Sequence, residues 1–181
     1  ADSAPRPFLD GELSEMEATG ATLSIFQQRQ TVEGADTPAG AIGIVLDVVR
    51  DAGVPVGAVG YRVVHPGAEI RDHVGITEEI LKKLEAAASF APLHDPEGVE
   101  IIRETMRRMP DVSHFACFDT VFHQTMPQEA FTYAIPAKYR EQGVKRYGFH
   151  GLSCESVVRQ MRNLGPLPLR MVIAHLGSGC S

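Results

Sequence analysis

The sequence predicts an α/β fold with a largely parallel sheet. Short runs rich in β-branched and aromatic residues alternate with longer segments in which apolar residues recur at helical spacing. Strands that alternate with helices along a chain pair mainly into a parallel sheet with the helices packed on it. Functional sites in such folds gather at the carboxyl ends of the strands, so polar residues that directly follow a strand are the first candidates for chemistry.

Composition excludes several classes of protein. The 181 residues are 44% hydrophobic and 22% charged, which is typical of a globular chain, and the net charge of −6 argues against a protein that binds the nucleic-acid backbone. No apolar stretch approaches the roughly 20 residues of a membrane span. The three cysteines match no disulfide or zinc framework, which indicates a reducing, cytoplasmic compartment.

The amino-terminal segment is predicted to contain an extended pair and a helix. Residues 13–30 form the extended pair, in which apolar and polar side chains alternate, with a turn at Gly20. Thr37 is the predicted cap of a helix that opens with Pro38 and stops at Gly53. The predicted inward face of this helix consists of four apolar residues, Ile42, Val45, Leu46 and Val49.

The middle of the chain is predicted to hold two buried strands, residues 58–64 and 112–118, separated by two helices. Thr77 caps the first helix, and the acidic residues in its first turn suit the positive end of the helix dipole. The second helix opens at Asp95 and ends at Pro110. The predicted inward faces consist of Ile80, Leu81 and Leu84 in the first helix and of Val99, Ile102 and Met106 in the second.

The carboxyl-terminal part is predicted to hold two helices and a last strand. A short helix ends at Gly143, and a longer one runs from near Ser153 to Gly165. A strand at residues 169–174 follows and leads into a glycine-rich turn. The inward face of the longer helix is predicted to consist of Val157, Val158, Met161 and Leu164.

Two strand-end residues are candidates for chemistry, and each has a structural alternative. Arg62 lies inside an otherwise apolar strand, where its charge must be paired or face a cleft. Its planar fork suits a carboxylate or a phosphate, but a structural Asp or Glu would satisfy it equally well. Asp119 follows the second strand and would bind a metal, orient a nucleophile or cap the next turn. For His123, a few residues later, a structural role is favoured.

Three further segments add weaker candidates. At residues 147–151 two glycines flank an aromatic residue and His150, whose imidazolium would stabilise charge on a transferring group, although a plain structural turn looks the same. Residues 175–179 form a glycine turn whose backbone N–H groups would cradle a phosphate, unless the turn is merely structural. Leu93 and His94 offer a pocket wall and a hydrogen-bond donor. No pair of histidines has the helical spacing of a zinc site.

Taken together and in this order, these segments resemble the acetate kinase family, which belongs to the acetate and sugar kinase, heat-shock protein and actin superfamily. The matching segments are residues 61–67, 90–96, 118–127, 146–153 and 175–179. The resemblance implies a ribonuclease-H-like fold of the actin and hexokinase type, with a mixed sheet and helices on both faces, here incomplete. It also implies an acyl-substrate-side α/β domain at residues 1–120, without its first strand and phosphate loop, and the start of a nucleotide-binding domain at residues 121–181.

The resemblance implies an activity: reversible transfer of the γ-phosphoryl group of ATP to acetate, with Mg²⁺, to give acetyl phosphate and ADP. Propionate or butyrate is the neighbouring alternative, and a non-catalytic fragment or binding module that keeps part of the acyl site is the alternative from another class. The family's second catalytic arginine and adenosine pocket have no counterpart in these residues, so the 181-residue chain alone is expected to be inactive. A full-length protein is expected to be a cytoplasmic homodimer that acts on small molecules, without a nucleic-acid or membrane partner.

The resemblance also implies a role for each matching residue. Arg62 would hold the substrate carboxylate and the phosphoryl group, Asp119 would be the essential catalytic carboxylate, and His150 would stabilise the transition state. His94 would donate a hydrogen bond near the phosphoryl group. The acyl pocket would be lined by Val64, Leu93 and Phe149, and the ATP phosphate loop would consist of His175, Leu176, Gly177, Ser178 and Gly179.

The sequence departs from the family pattern at four positions. Tyr61 and Cys154 stand where the family has histidine, Pro66 where it has glycine, and Ser178 where it has asparagine. Pro66 removes a backbone N–H donor, and Ser178 alters a residue of the phosphate loop that the resemblance implies.

Overall fold

A computed structural model of the chain describes residues 6–16, 20–67, 69–87 and 95–177. Contacts between Cα atoms divide these residues into two compact units. The first takes in the described residues from 60 to 95 and from 115 to 177, and the second takes in those from 6 to 59 and from 96 to 114. The domain boundary expected at residue 120 stays a prediction.

The second unit contains a three-stranded antiparallel sheet in the order β1-β2-β3, formed by Gly11–Ser14, Ala21–Ile25 and Gln28–Val32. Leu23 of β2 lies opposite Leu13 of β1 and is buried. The sequence predicts only an extended pair here, because the third strand is polar and largely exposed and so lacks the apolar alternation that marks a strand.

Helix α1, Pro38–Asp51, begins where the sequence predicts. The Thr37 hydroxyl accepts a hydrogen bond from the Gly40 N–H at 3.1 Å, which satisfies one of the free donors at the helix start. The predicted inward face is wrong in part, since Val45 is exposed while Ala41 and Gly43 are buried. A Cβ on Gly43 would lie 3.1 Å from Nη2 of Arg108, so the helix contacts its surroundings through small residues that a search for large apolar side chains overlooks.

A second sheet has the order β4-β6-β5, formed by Ala58–Val63, Ser113–Phe118 and Val74–Gly75. β5 runs antiparallel to β6. Antiparallel pairs therefore predominate among the described strands, and the expectation of a largely parallel sheet is wrong for this part of the chain. In the first sheet the reason is that short connections, such as the two residues between β2 and β3, return the chain directly beside itself.

The two strands predicted to be buried are each covered on one face at most. In β6, buried His114, Ala116 and Phe118 alternate with residues that are exposed or half-buried. In β4 only Val63 is buried. A run of apolar residues does not reveal how many layers will cover a strand, so the sequence overstates burial here.

Helices α2, Glu78–Ala87, and α3, Asp95–Arg108, confirm the sequence prediction. The Thr77 hydroxyl accepts from the Ile80 N–H at 3.3 Å at the start of α2. α2 buries Leu81, Leu84 and Ala87, and α3 buries Val99, Ile102 and Thr105. The Thr105 hydroxyl donates to the Ile101 carbonyl at 2.7 Å, which allows a polar side chain to lie in the buried face.

The carboxyl-terminal part forms a 3₁₀ turn at Val121–Thr125, two short helices, α4 at Gln128–Phe131 and α5 at Ala137–Glu141, and helix α6 at Gly151–Leu164. The short helix predicted to end at Gly143 is α5. Among the described helices, none combines the length and the apolar composition that crossing a membrane requires.

Two predictions for this part are wrong. The strand expected at residues 169–174 is not formed, and Leu169 and Val172 are 99% and 94% exposed. The expected inward face of α6 is exposed at Val157, Met161 and Leu164. A strand needs a neighbour to accept its backbone hydrogen bonds, and an apolar helix face needs a surface to cover it; the described residues supply neither for this segment.

Candidate active site

An ion pair joins the ends of two neighbouring strands in the first unit. Arg62 lies near the end of β4, and Asp119 directly follows β6. The Asp119 N–H donates to the Val63 carbonyl at 3.3 Å, which fixes the two strand ends side by side. The Arg62 guanidinium donates from Nε at 3.0 Å and from Nη2 at 2.6 Å to Oδ2 of Asp119. Two residues far apart in the sequence are thus brought into contact.

The two partners differ in exposure. The Asp119 side chain is 2% exposed, whereas the Arg62 side chain is 60% exposed. A buried carboxylate needs a charged or hydrogen-bonding partner, and Arg62 supplies both. The hydrogen bond to Asp119 raises the pKa of Arg62 despite the opposing effect of partial burial. The structural alternative for Arg62, a pair with an acidic residue, is therefore present, and its partner is the other strand-end candidate, Asp119.

The ion pair leaves part of the arginine available. A guanidinium has five N–H donors, and Asp119 takes one on Nε and one on Nη2. Three donors remain, on Nη1 and Nη2, at the end of the fork, and in the part of the chain that the structure describes no group accepts from them. This end edge has the geometry that binds a carboxylate or phosphate through two parallel hydrogen bonds.

His150 and His175 come together at the start of α6. His150 is the residue before the helix and has a left-handed backbone, with φ 56° and ψ 25°. Its ring stacks on the ring of His175, with centroids 4.2 Å apart and planes 11° apart. Nδ1 of His175 is hydrogen-bonded to the Ser153 hydroxyl at 3.1 Å. Both histidines are half-buried, so the pair faces solvent along one side.

Two glycines allow this segment to pack closely against the strand-end residues. The Gly151 N–H donates to the Asp119 carbonyl at 2.8 Å, and a Cβ on Gly151 would overlap that same carbonyl oxygen. A Cβ on Gly148 would overlap the ring of His123. The glycines expected to permit close approach to a ligand therefore permit close approach to other parts of the protein.

His123 has the structural role that the sequence favours. Its Nε2 lies 2.8 Å from the Phe149 carbonyl oxygen. Because a carbonyl only accepts, Nε2 carries the proton and donates it. His123 thereby holds the backbone of the segment that carries His150.

Sequence reasoning missed His65, which is 2% exposed. Its Nδ1 accepts from the Gly67 N–H at 3.0 Å, and its ring meets the ring of Tyr147 edge-on at 4.5 Å and lies 6.1 Å from that of Phe149. Burial, and to a smaller degree the charge of Lys145, lowers the pKa of His65. The only sequence signal was its position before the Pro66 turn, and that position does not distinguish a buried histidine from an exposed one.

Other predicted residues are placed only in part. Val64 and Phe149 are half-buried, but Leu93, the third member of the expected acyl pocket, lies outside the described residues, as does His94. Of the expected phosphate loop, Leu176 and Gly177 are exposed, and Ser178 and Gly179 lie outside the described residues.

A cavity of about 320 Å³ lies beside these segments and is lined by Thr120 and Tyr147 among others, but not by Arg62, Asp119 or His150. Arg62 and Asp119 do lie at strand ends of the same sheet, as expected. That they face a common cleft stays a prediction.

The model of the acetokinase family matches residues 13–181. The chain belongs to this family. It is 41% identical over 169 residues to an acetate kinase of Methylocella silvestris, covering 90% of this chain and 41% of the relative. It is 36% identical over 181 residues to an acetate kinase of Shouchella clausii, covering 92% of this chain and 46% of the relative. The chain therefore spans less than half the length of these relatives.

Solved structures of the family share the fold. The acetate kinase of Porphyromonas gingivalis matches 95% of this chain and 47% of its own, with a TM-score of 0.81 and 29% identity. A propionate kinase of Francisella tularensis matches 95% of this chain and 46% of its own, with a TM-score of 0.80 and 28% identity. The fold class expected from the resemblance, the mixed α/β fold of these kinases, is confirmed.

Proposed function

We propose that the protein to which this chain belongs transfers the γ-phosphoryl group of ATP to acetate and releases ADP. A carboxylate oxygen of acetate forms a bond to the γ-phosphorus while the bond from that phosphorus to the bridging oxygen of ADP breaks; the reverse reaction uses acetyl phosphate and ADP. The observation that carries the proposal is the Arg62–Asp119 pair at adjoining strand ends, in a chain that belongs to the acetokinase family.

Arg62 is the proposed anchor for both anions. Asp119 holds the Nε and Nη2 side of the guanidinium, and the end edge remains for the carboxylate of acetate and then for the transferring phosphoryl group. Both substrates are anions, so their approach requires fixed positive charge that offsets their repulsion. A charge held in one orientation before the substrates bind stabilises the transition state without further rearrangement.

Asp119 and His150 are the other proposed catalytic residues. Asp119 provides a buried negative charge that orients Arg62. The resemblance to the family implies that Asp119 is also the essential catalytic carboxylate. His150 lies at the start of α6, where an imidazolium would stabilise charge on the transferring group. The hydrogen bond from Gly151 N–H to the Asp119 carbonyl supports the proposal, because it ties the helix that follows His150 to the strand end that carries Asp119.

Acetate is the proposed acid. The expected pocket of Val64, Leu93 and Phe149 would hold its methyl group, with His94 donating near the phosphoryl group. Propionate and butyrate differ by methylene groups that are worth only about 1–3 kcal/mol each in an apolar pocket. The relatives compared at more than a third identity are named acetate kinases, which favours acetate over the longer acids.

ATP would bind through the turn that contains His175, Leu176, Gly177, Ser178 and Gly179. The described residues hold no group of three or more His, Cys, Asp or Glu side chains that could bind a metal ion. Mg²⁺ commonly binds through one or two carboxylates together with substrate phosphates, and we propose that it arrives with the nucleotide, where it would neutralise phosphate charge. We propose further, on the family resemblance alone, that the full-length protein is a cytoplasmic homodimer.

The test is the Asp119→Asn variant of the full-length protein. Asn keeps the shape of the side chain but removes its charge, so kcat should fall by about 10²–10³-fold while the KM values change little. Arg62→Lys should also reduce turnover, because an ammonium group cannot form two parallel hydrogen bonds. Asp111→Asn is the matched control, since Asp111 is exposed and lies outside the site. The measurement is ADP release that depends on both ATP and acetate.

Two results would contradict the proposal. Wild-type turnover in Asp119→Asn would reduce Asp119 to a structural role. No turnover in the wild-type full-length protein with acetate, propionate or butyrate would favour the alternative of a non-catalytic binding module.

A further inference from the structure

The charged residues that line the cavity of about 320 Å³ in the first unit are all cationic. Its lining includes three cationic residues, Arg71, Lys145 and Arg146, and among the described residues that line it there is no Asp or Glu. The chain as a whole carries a net charge of −6, so a local group of three cations without acids departs from the average surface. A concave site of one charge sign attracts counter-ions and concentrates them.

These cations have no acidic partner in the described part of the chain. Elsewhere arginines pair with nearby carboxylates, as Arg107 and Arg108 do with Glu104 at 2.7 Å. No comparable ion pair reaches Arg71, Lys145 or Arg146 from a described residue. Their charge is therefore available to a ligand without first breaking a salt bridge.

Aromatic rings hold Lys145 at the wall of the cavity. Its Nζ lies 5.4 Å from the ring centroid of Phe131 and 5.1 Å from that of Tyr147, and both rings line the cavity. The backbone N–H of Arg146 donates to the Phe131 carbonyl at 2.8 Å, so the two consecutive cations are fixed to the same segment. Contacts with ring faces restrict the position of a cation before a ligand binds. They therefore reduce the side-chain conformational entropy that is lost on binding.

The rest of the lining suits the body of a small organic molecule. Ile70 and Thr120 are buried at the cavity, which also includes Met126 and the two aromatic rings. A volume of about 320 Å³ lies at the small end of the range of ligand pockets. Several cations around a partly apolar cavity of this size match an organic anion with a short carbon skeleton and two negative charges.

We propose that this cavity is a second anion site, which binds a small organic dianion, either a dicarboxylate or a phosphate monoester. It is separate from the proposed reaction site, because Arg62, Asp119 and His150 do not line it. Its lining includes Thr120, which directly follows Asp119, and Tyr147, whose ring meets that of His65. A bound ligand would therefore lie against the residue next to Asp119.

The test is calorimetric titration of the full-length protein with succinate and, in a second arm, with glycerol 3-phosphate, both at low ionic strength. Lys145→Gln and Arg146→Gln should each weaken binding about tenfold, because each removes one charged hydrogen-bond donor. Lys145→Arg keeps the charge and should retain binding. Lys138→Gln is the matched control, since Lys138 is exposed and lies over the ring of Tyr139 at 4.8 Å but does not line the cavity.

Arg62→Gln, made together with Asp119→Asn so that no unpaired charge is buried, separates this proposal from the proposed function. Binding that survives Arg62→Gln but is weakened about tenfold in Lys145→Gln supports a second site, whether or not the protein turns over acetate. Binding lost in Arg62→Gln and unchanged in Lys145→Gln would assign the ligand to the reaction site and overturn the inference. Equal weakening by Lys138→Gln would show only a general effect of surface charge and would also overturn it. The ligand that binds more tightly, succinate or glycerol 3-phosphate, shows whether dicarboxylates or phosphate monoesters are the preferred class.

Discussion

At the scale of single residues, the Arg62–Asp119 pair joins stability and chemistry. Asp119 is almost completely buried, and the hydrogen bonds from Arg62 are what allow its charge to stay there. Arg62 is largely exposed, so the end edge of its guanidinium can bind a ligand. Its Nε and Nη2 groups meanwhile donate hydrogen bonds to the Asp119 carboxylate. A substitution of Arg62 is therefore expected to affect both folding and activity, whereas Asp119→Asn removes the need for a buried charge.

The fold leaves no room for a side chain at Gly151. We predict that Gly151→Ala lowers the free energy of unfolding by about 1–3 kcal/mol, because the new methyl group would overlap the Asp119 carbonyl, which cannot move without breaking its hydrogen bond. Gly98→Ala is the matched control, since Gly98 lies in α3 with nothing within 4 Å of an added Cβ. That variant should be more stable by about 0.5–1 kcal/mol. Urea unfolding of both variants measures the difference, and similar effects of the two would contradict the close approach.

His65 makes stability depend on pH. Its pKa is lowered in the folded state by burial and by Lys145, so the unfolded state binds the proton more readily. The stability that the neutral ring contributes is fully present above the unfolded pKa of about 6.5 and is lost as the pH falls from there through the lower folded pKa. We predict a slope of up to about 1.4 kcal/mol per pH unit from this residue in that window.

His65→Asn tests this prediction, because the Asn side-chain oxygen can take over the hydrogen bond from Gly67 without titrating. The free energy of unfolding of the wild type should fall more steeply than that of the variant below pH 6.5. Parallel curves would mean that His65 titrates normally.

At the scale of secondary-structure elements, local sequence signals decided where helices begin but not which face they bury. The Thr37 and Thr77 caps lie where the pattern of a hydroxyl before a helix predicts them. The buried face of α1 depends instead on Gly43 and on its neighbour Arg108, a contact between distant parts of the sequence.

We predict that Thr37→Ala lowers the free energy of unfolding by about 1 kcal/mol, because the Gly40 N–H loses its acceptor. Thr37→Ser keeps the hydroxyl and should stay close to the wild type. Thermal unfolding of the two variants distinguishes them, and equal destabilisation would show that the methyl group of Thr37 matters more than its hydrogen bond.

At the scale of the whole chain, several large apolar residues near the carboxyl end remain exposed. Leu164, Leu169, Val172 and Leu176 are 84%, 99%, 94% and 79% exposed. Exposed apolar side chains associate with other apolar surface in water.

We therefore predict that the 181-residue chain self-associates at micromolar concentration. The double variant Leu169→Ser and Val172→Ser should reduce this association, whereas Arg170→Ser, in the same exposed segment, should not. Light scattering coupled to size-exclusion chromatography gives the mass of each. A wild-type chain that stays monomeric would show that the exposed residues do not form a cohesive surface.

The sequence by itself determined the helix starts, the two candidate residues at the strand ends and the family. Caps, proline and glycine act over a few residues, so they can be read locally, and the motif order is a property of the sequence. Only the tertiary structure decided that Arg62 pairs with Asp119, that His65 is buried against Tyr147, and that residues 169–174 have no strand partner among the described residues. Each of these depends on which distant segment comes to lie alongside. Burial, ion pairing and strand formation are properties of such neighbours, which the spacing of residues along the chain does not specify.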